Sequence, residues 1–363
     1  MKLLKRTLEQ IGDVPIDPDG NVRRMFKSFA IPSGSLGRLE ELAIIYASIK
    51  GTVKCQIKYK KIFTIAGDHG VVEEGVSAFP QQVTKQMVKN FLDGGAAINV
   101  LARHIGAEVI VVDCGVASNL EANIFPNQCK DKSLRIKKIG LGTNNMTRGP
   151  AMSREDAVRS IEAGIELVEE ELEEGLDIIG TGDMGIGNTT PSSAILTVLG
   201  KTDVDSAAGN GTGIDNITLQ RKIQVIKKAI DVNKPNPSDP IDILSKVGGY
   251  EIGGIAGLCL GAARYRVPVV LDGFISTAGA LIANAIEPKV AKYLIASHIS
   301  AEKGHKIMLK LLNKIPLLDL NMKLGEGTGA ALGISLVEAG VKLLNEMASF
   351  HEAGVSEPVN VQQ

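Results

Sequence analysis

The sequence predicts an α/β fold: a Rossmann-like parallel sheet with helices on both faces, joined to a small helical domain built from both ends of the chain. Two observations carry this. Short apolar runs rich in Val and Ile alternate with longer stretches of helical periodicity, the pattern of strands buried on both faces between crossover helices. The two ends carry apolar helical stripes and no strand-like run.

Taken in order, helical patterns cover residues 7–10 and 33–50. Strands are expected at 61–67, 108–115, 176–182, 267–273 and 293–298. Between them, residues 84–105, 153–175, 217–234 and 253–266 read as helices, with Thr84 and Ser153 placed as N-caps. Residues 301–313 and 328–350 close the chain as helices. The expected division is a small helical domain from 1–55 and 300–363, and a large α/β substrate-binding domain over 56–299. The tail SEPVNVQQ is the one candidate for disorder.

Composition excludes several classes of function. Forty Lys and Arg against 41 Asp and Glu leave a net charge of -1, with no basic block of the kind nucleic acid selects. No window approaches 18 uncharged apolar residues, so no membrane span is expected, and MKLLKRTLEQ lacks the apolar stretch of a signal peptide. Cys55, Cys114, Cys129 and Cys259 are far apart without metal-ligand spacing and read as reduced thiols of a cytoplasmic protein.

Each expected strand ends in small or polar residues: Gly67, Asp68 and His69, then Asp113, then Gly180 to Asp183, then Asp272, then His298 and Ser300. In open parallel sheets the ligand crevice lies beyond the carboxyl ends of the strands, so these loops are expected to line one site. The loop GTGDMGIGNTTPSS (180–193) matches G-x-G-x-x-G through Gly180, Gly182 and Gly185, but no strand ending in an acid follows about twenty residues on, as a dinucleotide site requires. Backbone N–H groups at a helix N-terminus suit a monophosphate better. A tight turn is the plainer alternative, although four glycines in eight residues exceed what one turn needs. Lys222 offers that phosphate a cation and Ser300 a hydroxyl; taken alone, a solvated lysine and an N-cap serine are the more ordinary readings.

Residues 66–84 gather Asp68, His69, Ser77, Phe79 and Pro80 before a helix. Phe79 and Met87 suit either a slot for a flat ring or a piece of core. Neither His69 nor His298 stands at metal-ligand spacing. Near the end of the chain, LGEGTGAA sets Glu326 between two glycines ahead of a helical pattern. A carboxylate there either favours the helix dipole, by about 0.3–1 kcal/mol, or, stripped of neighbours and set among apolar residues, has its pKa raised towards that of a general base. The residues alone leave both readings open.

The strings IPSGSLGRLEELA (31–43), AGDHGVVEEGVSAFPQQVT (66–84), FLDGGAAINVLAR (91–103), GTNNMTRGPAMS (142–153), GDMGIGNTTPSSAI (182–195), NKPNPSDPIDILSKVGGYEIGGIAG (233–257), PVVLDGFISTAGAL (268–281), SHISAEKG (297–304) and LNMKLGEGTGAAL (320–332) resemble, over nearly the whole chain, the nicotinate-nucleotide:dimethylbenzimidazole phosphoribosyltransferase family. The resemblance implies transfer of ribose 5-phosphate from nicotinate mononucleotide to an aromatic base for the cobamide lower ligand, with inversion, in a homodimer and without a cofactor or metal. It implies that Glu326 is the general base. The phosphate and ribose are expected at Gly180, Gly182, Asp183, Gly185, Asn188, Lys222 and Ser300, of which the Gly185 backbone, Lys222 and Ser300 match the family's phosphate contacts. The acceptor base is expected at Ser77, Phe79, Met87 and Leu324.

Two positions depart from the family pattern. Asp183 stands where Glu is usual, and Phe79 where Tyr is frequent. Both lie where the acceptor is expected, so another benzimidazole, a purine or a phenolic ring, with or without a paralogous partner subunit, is the nearest rival reading. A non-catalytic nucleotide-binding subunit is a second, and a dehydrogenase using NAD a third.

Overall fold

The computed structural model describes residues 2–120, 133–211 and 213–357; Cys129 and the end of the tail, 358–363, lie outside them. Six strands form one parallel sheet: β1 (Lys60–Gly67), β2 (Glu108–Gly115), β3 (Leu134–Ile136), β4 (Ile178–Met184), β5 (Val269–Leu271) and β6 (Leu294–Ala296). Their order is β3-β2-β1-β4-β5-β6, and every neighbouring pair is parallel. The chain crosses from one side of the sheet to the other between β1 and β4, the switch point at which such sheets open a crevice.

β1 explains the layering. Phe63 and Ile65 point into one core and Ile62 and Ala66 into the other, as alternation along a strand buried on both faces requires. The first core holds α1 (Lys2–Gln10), α6 (Arg154–Leu172), α7 (Thr189–Gly200), α9 (Asn216–Asn233), α10 (Pro240–Val247), α11 (Tyr250–Arg264) and α12 (Phe274–Ile286). The second holds α2 (Asn21–Ser28), α3 (Arg38–Lys50), α4 (Gln82–Leu92), α5 (Ala97–Ile105) and α14 (Thr328–Glu346). Short helices α8 (Val204–Ala207), α13 (His305–Leu311) and α15 (Phe350–Ala353) complete the described set. Among the described residues, no helix is long and apolar enough to cross a membrane. Cys55, Cys114 and Cys259 are buried thiols.

The chain ends meet in part. α2, α3 and α14 pack together and α14 also lies on the sheet, whereas α1 packs on α6 and α11, where the Leu4 N–H donates to Glu162. Several boundaries differ from expectation. The helix expected over 84–105 is two helices, α4 and α5, broken at Asp93-Gly94-Gly95, where Gly94 takes a left-handed φ of 76°. Thr84 therefore lies inside α4; instead of capping, its Oγ1 accepts the Ile186 N–H at 3.1 Å. The helix expected from 33 starts at Arg38, and the one expected over 328–350 stops at Glu346. The helix expected from Ala301 begins only at His305, so Ser300 caps no helix. β3 was not expected, since its LRI is short and carries a charge in the middle. Ser153 does cap α6, its side chain accepting from the Asp156 N–H.

Candidate active site

Glu326 packs against the carboxyl-terminal halves of β1 and β4, beside Thr64, Gly182 and Asp183. Its N–H donates to the Asp183 carbonyl at 3.2 Å and its carbonyl accepts from Thr64 Oγ1 at 2.7 Å. The backbone there is left-handed for three residues running, with φ 85° at Gly325, 65° at Glu326 and 101° at Gly327. Glycines enter that region freely; a non-glycine residue does so at a cost of roughly 1–2 kcal/mol, and such strain persists only where surrounding bonds enforce it. Gly182 leaves room for this turn: a Cβ there would stand 2.6 Å from the Glu326 carbonyl carbon and 2.7 Å from the Gly327 nitrogen.

Helix α14 does not use Glu326 as its cap. Asp272, at the end of β5, accepts from the N–H groups of Gly327 at 3.0 Å, Gly329 at 2.7 Å and Ala330 at 3.3 Å, satisfying donors that a helix start leaves free. The Glu326 carboxylate turns away and its Oε2 accepts a single long bond, 3.3 Å, from the Ile98 N–H in the first turn of α5. With the residue 6% exposed, burial raises the Glu326 pKa against that one N–H.

Three more buried acids, Asp183, Asp272 and Glu251, stand nearby. Burial, and then the charge of Asp272, hold Asp183 well above the ordinary carboxylate range; its Oδ2 accepts from Asn188 Nδ2 at 2.9 Å, and its Oδ1 is buried without a hydrogen bond. Burial lifts Asp272 to about 7, against the pull of the amides it accepts. Glu251, at the start of α11, is fully buried and meets His69 Nε2 at 2.8 Å. Burial pulls the His69 pKa down, but the charge and hydrogen bond of Glu251 outweigh it and the net direction is up.

A cavity opens beside this cluster, lined by Asp183, Gly185, Asn188, Ser300, Leu324 and Gly325. A smaller one adjoins it, lined by Ser77, Gly185, Asn188, Thr189, Gly211 and Lys222. Lys222 is completely buried, and its Nζ donates to Thr189 Oγ1 at 2.8 Å and to the Gly209 carbonyl at 3.1 Å. Burial lowers its pKa to about 8. An ammonium paired only with neutral oxygens beside an open cavity suits an anion that brings its own charge. Ser300 Oγ accepts the Glu302 N–H at 3.3 Å.

The sequence-predicted residues thus come together unevenly. Asp183, Gly185, Asn188, Lys222, Ser300, Ser77 and Leu324 line the two cavities. Gly180 and Gly182 do not: both lie inside β4, where Gly180 faces Ala330 and Ile334 of α14 and Gly182 faces the Glu326 turn, so their role is close packing of the strand. Phe79 is 47% and Leu324 56% exposed, and Phe79 and Met87 line neither cavity; Met87 packs on the second core. Sequence reasoning passed over Glu251, although GGYEIGG sets an acid among glycines before a helix much as LGEG does. It named Asp272 without its capping role, and it passed over Thr64 and Glu302.

A family model described as "Phosphoribosyltransferase" matches residues 17–355. The nicotinate-nucleotide–dimethylbenzimidazole phosphoribosyltransferase of Geotalea uraniireducens is 53% identical over 357 residues, 98% of this chain and 99% of its own. That of Desulforudis audaxviator is 51% identical over 360 residues, 99% of this chain and 100% of its own. A crystal structure of CobT from Thermus thermophilus superposes with a TM-score of 0.87 at 40% identity, covering 93% of this chain and 99% of that one.

Proposed function

The chain belongs to the nicotinate-nucleotide–dimethylbenzimidazole phosphoribosyltransferase family, and from that premise we propose that it transfers ribose 5-phosphate from nicotinate mononucleotide to 5,6-dimethylbenzimidazole in cobalamin lower-ligand assembly, with Glu326 as the general base. The observation that carries the reading is the Glu326 carboxylate itself. Held in a strained turn, almost wholly buried and engaged by one long bond, it is spared the capping task that Asp272 performs for α14.

In the reaction the C1′–N bond to nicotinate breaks and its electron pair neutralises the ring nitrogen, so a pyridinium leaves as nicotinate. The acceptor nitrogen attacks C1′ from the opposite face, and the proton on the acceptor's other nitrogen passes to Glu326. Inversion gives the α-riboside 5′-phosphate. A base with a raised pKa suits a proton of this kind, and holding two flat rings on opposite sides of the ribose supplies much of the remaining acceleration. The Gly185 backbone, Lys222 and Ser300 hold the phosphate, Asp183 and Asn188 face the ribose, and Ser77 and Leu324 border the acceptor. The exposed Phe79 and Leu324 suit a slot that closes on the ring, and a homodimer in the cytoplasm is the assembly and setting that fit. Asp183, shorter by a methylene than the usual Glu, favours as second reading a different aromatic acceptor for the same chemistry.

The test is turnover of nicotinate mononucleotide with dimethylbenzimidazole, adenine and phenol in turn, products identified by mass and anomeric configuration. An α-riboside 5′-phosphate with one equivalent of nicotinate is expected. Binding of the nucleotide with no product from any acceptor would overturn the reading.

A further inference from the structure

Glu302 belongs to neither the acid cluster nor the expected site residues, yet it sits between the two groups assigned to the phosphate. It is 7% exposed, and its Oε2 is buried without a hydrogen bond. Its main-chain N–H donates to Ser300 Oγ. Its carboxylate lies against Gly209 so closely that a Cβ there would be 3.1 Å from Glu302 Cδ, with Oε2 nearer still. The Gly209 carbonyl in turn accepts from Lys222 Nζ. Glu302 also lines both the cavity shared with Ser300 and Leu324 and a larger one, behind Gly209 and Asn210.

We propose that Glu302 is a positioning residue of the phosphate site: its carboxylate, seated against Gly209, holds the Lys222 ammonium charged and in place before the phosphate arrives. The inference rests on the assignment of Lys222 to the phosphate. A buried ammonium needs a compensating charge, and Lys222 donates hydrogen bonds only to neutral oxygens. Glu302 supplies an opposing charge that partly offsets the effect of burial. Among the other charged groups nearby, Asp205 of α8 pairs with Lys227, and its carbonyl accepts from Lys303 Nζ. Asp242 and Lys246 of α10 pair with each other. Asp215, which caps α9, feels the charge of Arg221, and Lys303 and Lys323 line the larger cavity with Glu302. α7, which carries Thr189, has no titratable side chain.

The experiment is the dissociation constant of nicotinate mononucleotide, by calorimetry on the full-length enzyme without acceptor, across pH 6.5 to 10. The chains compared are the native one, Glu302→Gln, Lys222→Met, and Lys222→Arg with and without Glu302→Gln. The native constant is expected to weaken above the Lys222 pKa of about 8. Removing an opposite charge favours the neutral amine, so Glu302→Gln is expected to move that break toward acid by about one pH unit or more. In the Lys222→Arg background, whose guanidinium does not titrate in this range, Glu302→Gln is expected to introduce no break. Affinity at a single pH is a poorer readout, because removing the carboxylate also relieves its repulsion of the phosphate.

An unmoved break in Glu302→Gln overturns the inference while leaving the phosphate assignment standing. Unchanged nucleotide affinity in Lys222→Met overturns the assignment and the inference with it. If Glu302→Gln does not fold, Glu302→Asp takes its place: with the carboxylate drawn back from Gly209, an acid-shifted break supports the inference and an unmoved one overturns it.

Discussion

The N–H of Glu326 donates to the carbonyl of Asp183 at 3.2 Å, so the end of β4 and the turn before α14 share one backbone bond while the two carboxyl groups serve different tasks. Glu326 is turned toward α5 with one weak partner. Asp183 is buried among other acids, and burial first, then the charge of Asp272, raise its pKa well above the ordinary carboxylate range.

That environment predicts opposite outcomes for two neutral replacements. Burial and the neighbouring acids oppose a charge on Asp183, so Asp183→Asn, which keeps an acceptor for Asn188, is expected to leave kcat within about tenfold of native. Asp183→Ala strands the Asn188 amide, at a cost of about 1–3 kcal/mol for an unsatisfied buried donor. Steady-state kinetics and urea denaturation of both variants read the difference.

Asp272 links stability to pH. Its pKa is 3.8 in the ordinary case and about 7 when folded, so the folded chain holds the extra proton between those values. That stability is fully present below the lower value and is lost as pH rises toward 7. In Asp272→Asn this slope is expected to disappear from the urea midpoint measured against pH. The variant is also expected to be less stable at pH 7.5, because an amide nitrogen replaces the acceptor for the Gly327 or Gly329 N–H.

Gly182→Ala tests how the Glu326 turn is held. Its Cβ would press on the Glu326 carbonyl and the Gly327 nitrogen, and both sides of the clash are backbone, which does not swing aside. Loss of at least about 1–3 kcal/mol of stability is expected from the overpacking, together with a fall in kcat larger than any rise in nucleotide KM. Retention of native kcat would mean that the position of Glu326 is not critical.

Away from the site, the buried Glu171 carboxylate holds Lys61 Nζ and Arg135 Nη2, and Lys61 lies in β1 with 2% exposure. Glu171→Ala removes their shared partner, but Glu174 at 3.6 Å and Glu108 at 3.8 Å remain near Lys61 Nζ. A loss smaller than the roughly 3–5 kcal/mol of a fully unpaired buried charge is therefore expected. Denaturant unfolding measures it, and nucleotide binding by the folded fraction is expected to survive.

Much of this was legible in the sequence where the signal is local. β1 and β2 were read almost to the residue because KIFTIAG and EVIVVDCG are near-continuous apolar runs, whereas β3 escaped because LRI is short and charged. The break between α4 and α5 was written in Asp93-Gly94-Gly95 but overridden by the helical periodicity on either side. Glu326 stood out because three glycines strip its surroundings. What its carboxylate was free of did not, since the Asp272 cap spans 55 residues of chain and the His69–Glu251 pair 182. Likewise Gly180 fits a phosphate-loop motif by spacing, and only the packing of β4 against α14 shows that it faces a helix.

The most direct test of the central claim is single-turnover and steady-state transfer from nicotinate mononucleotide to dimethylbenzimidazole by the native enzyme and by Glu326→Gln, with nucleotide affinity measured in parallel. A positioned base is worth roughly 10² to 10⁴ in rate, so the variant is expected to lose at least two orders of magnitude in kcat while binding the nucleotide within a few-fold of native. Because burial raises the Glu326 pKa, the acid limb of the native kcat profile is expected above the ordinary carboxylate range, and absent from the residual activity of the variant. Transfer by Glu326→Gln at near-native kcat would contradict the account.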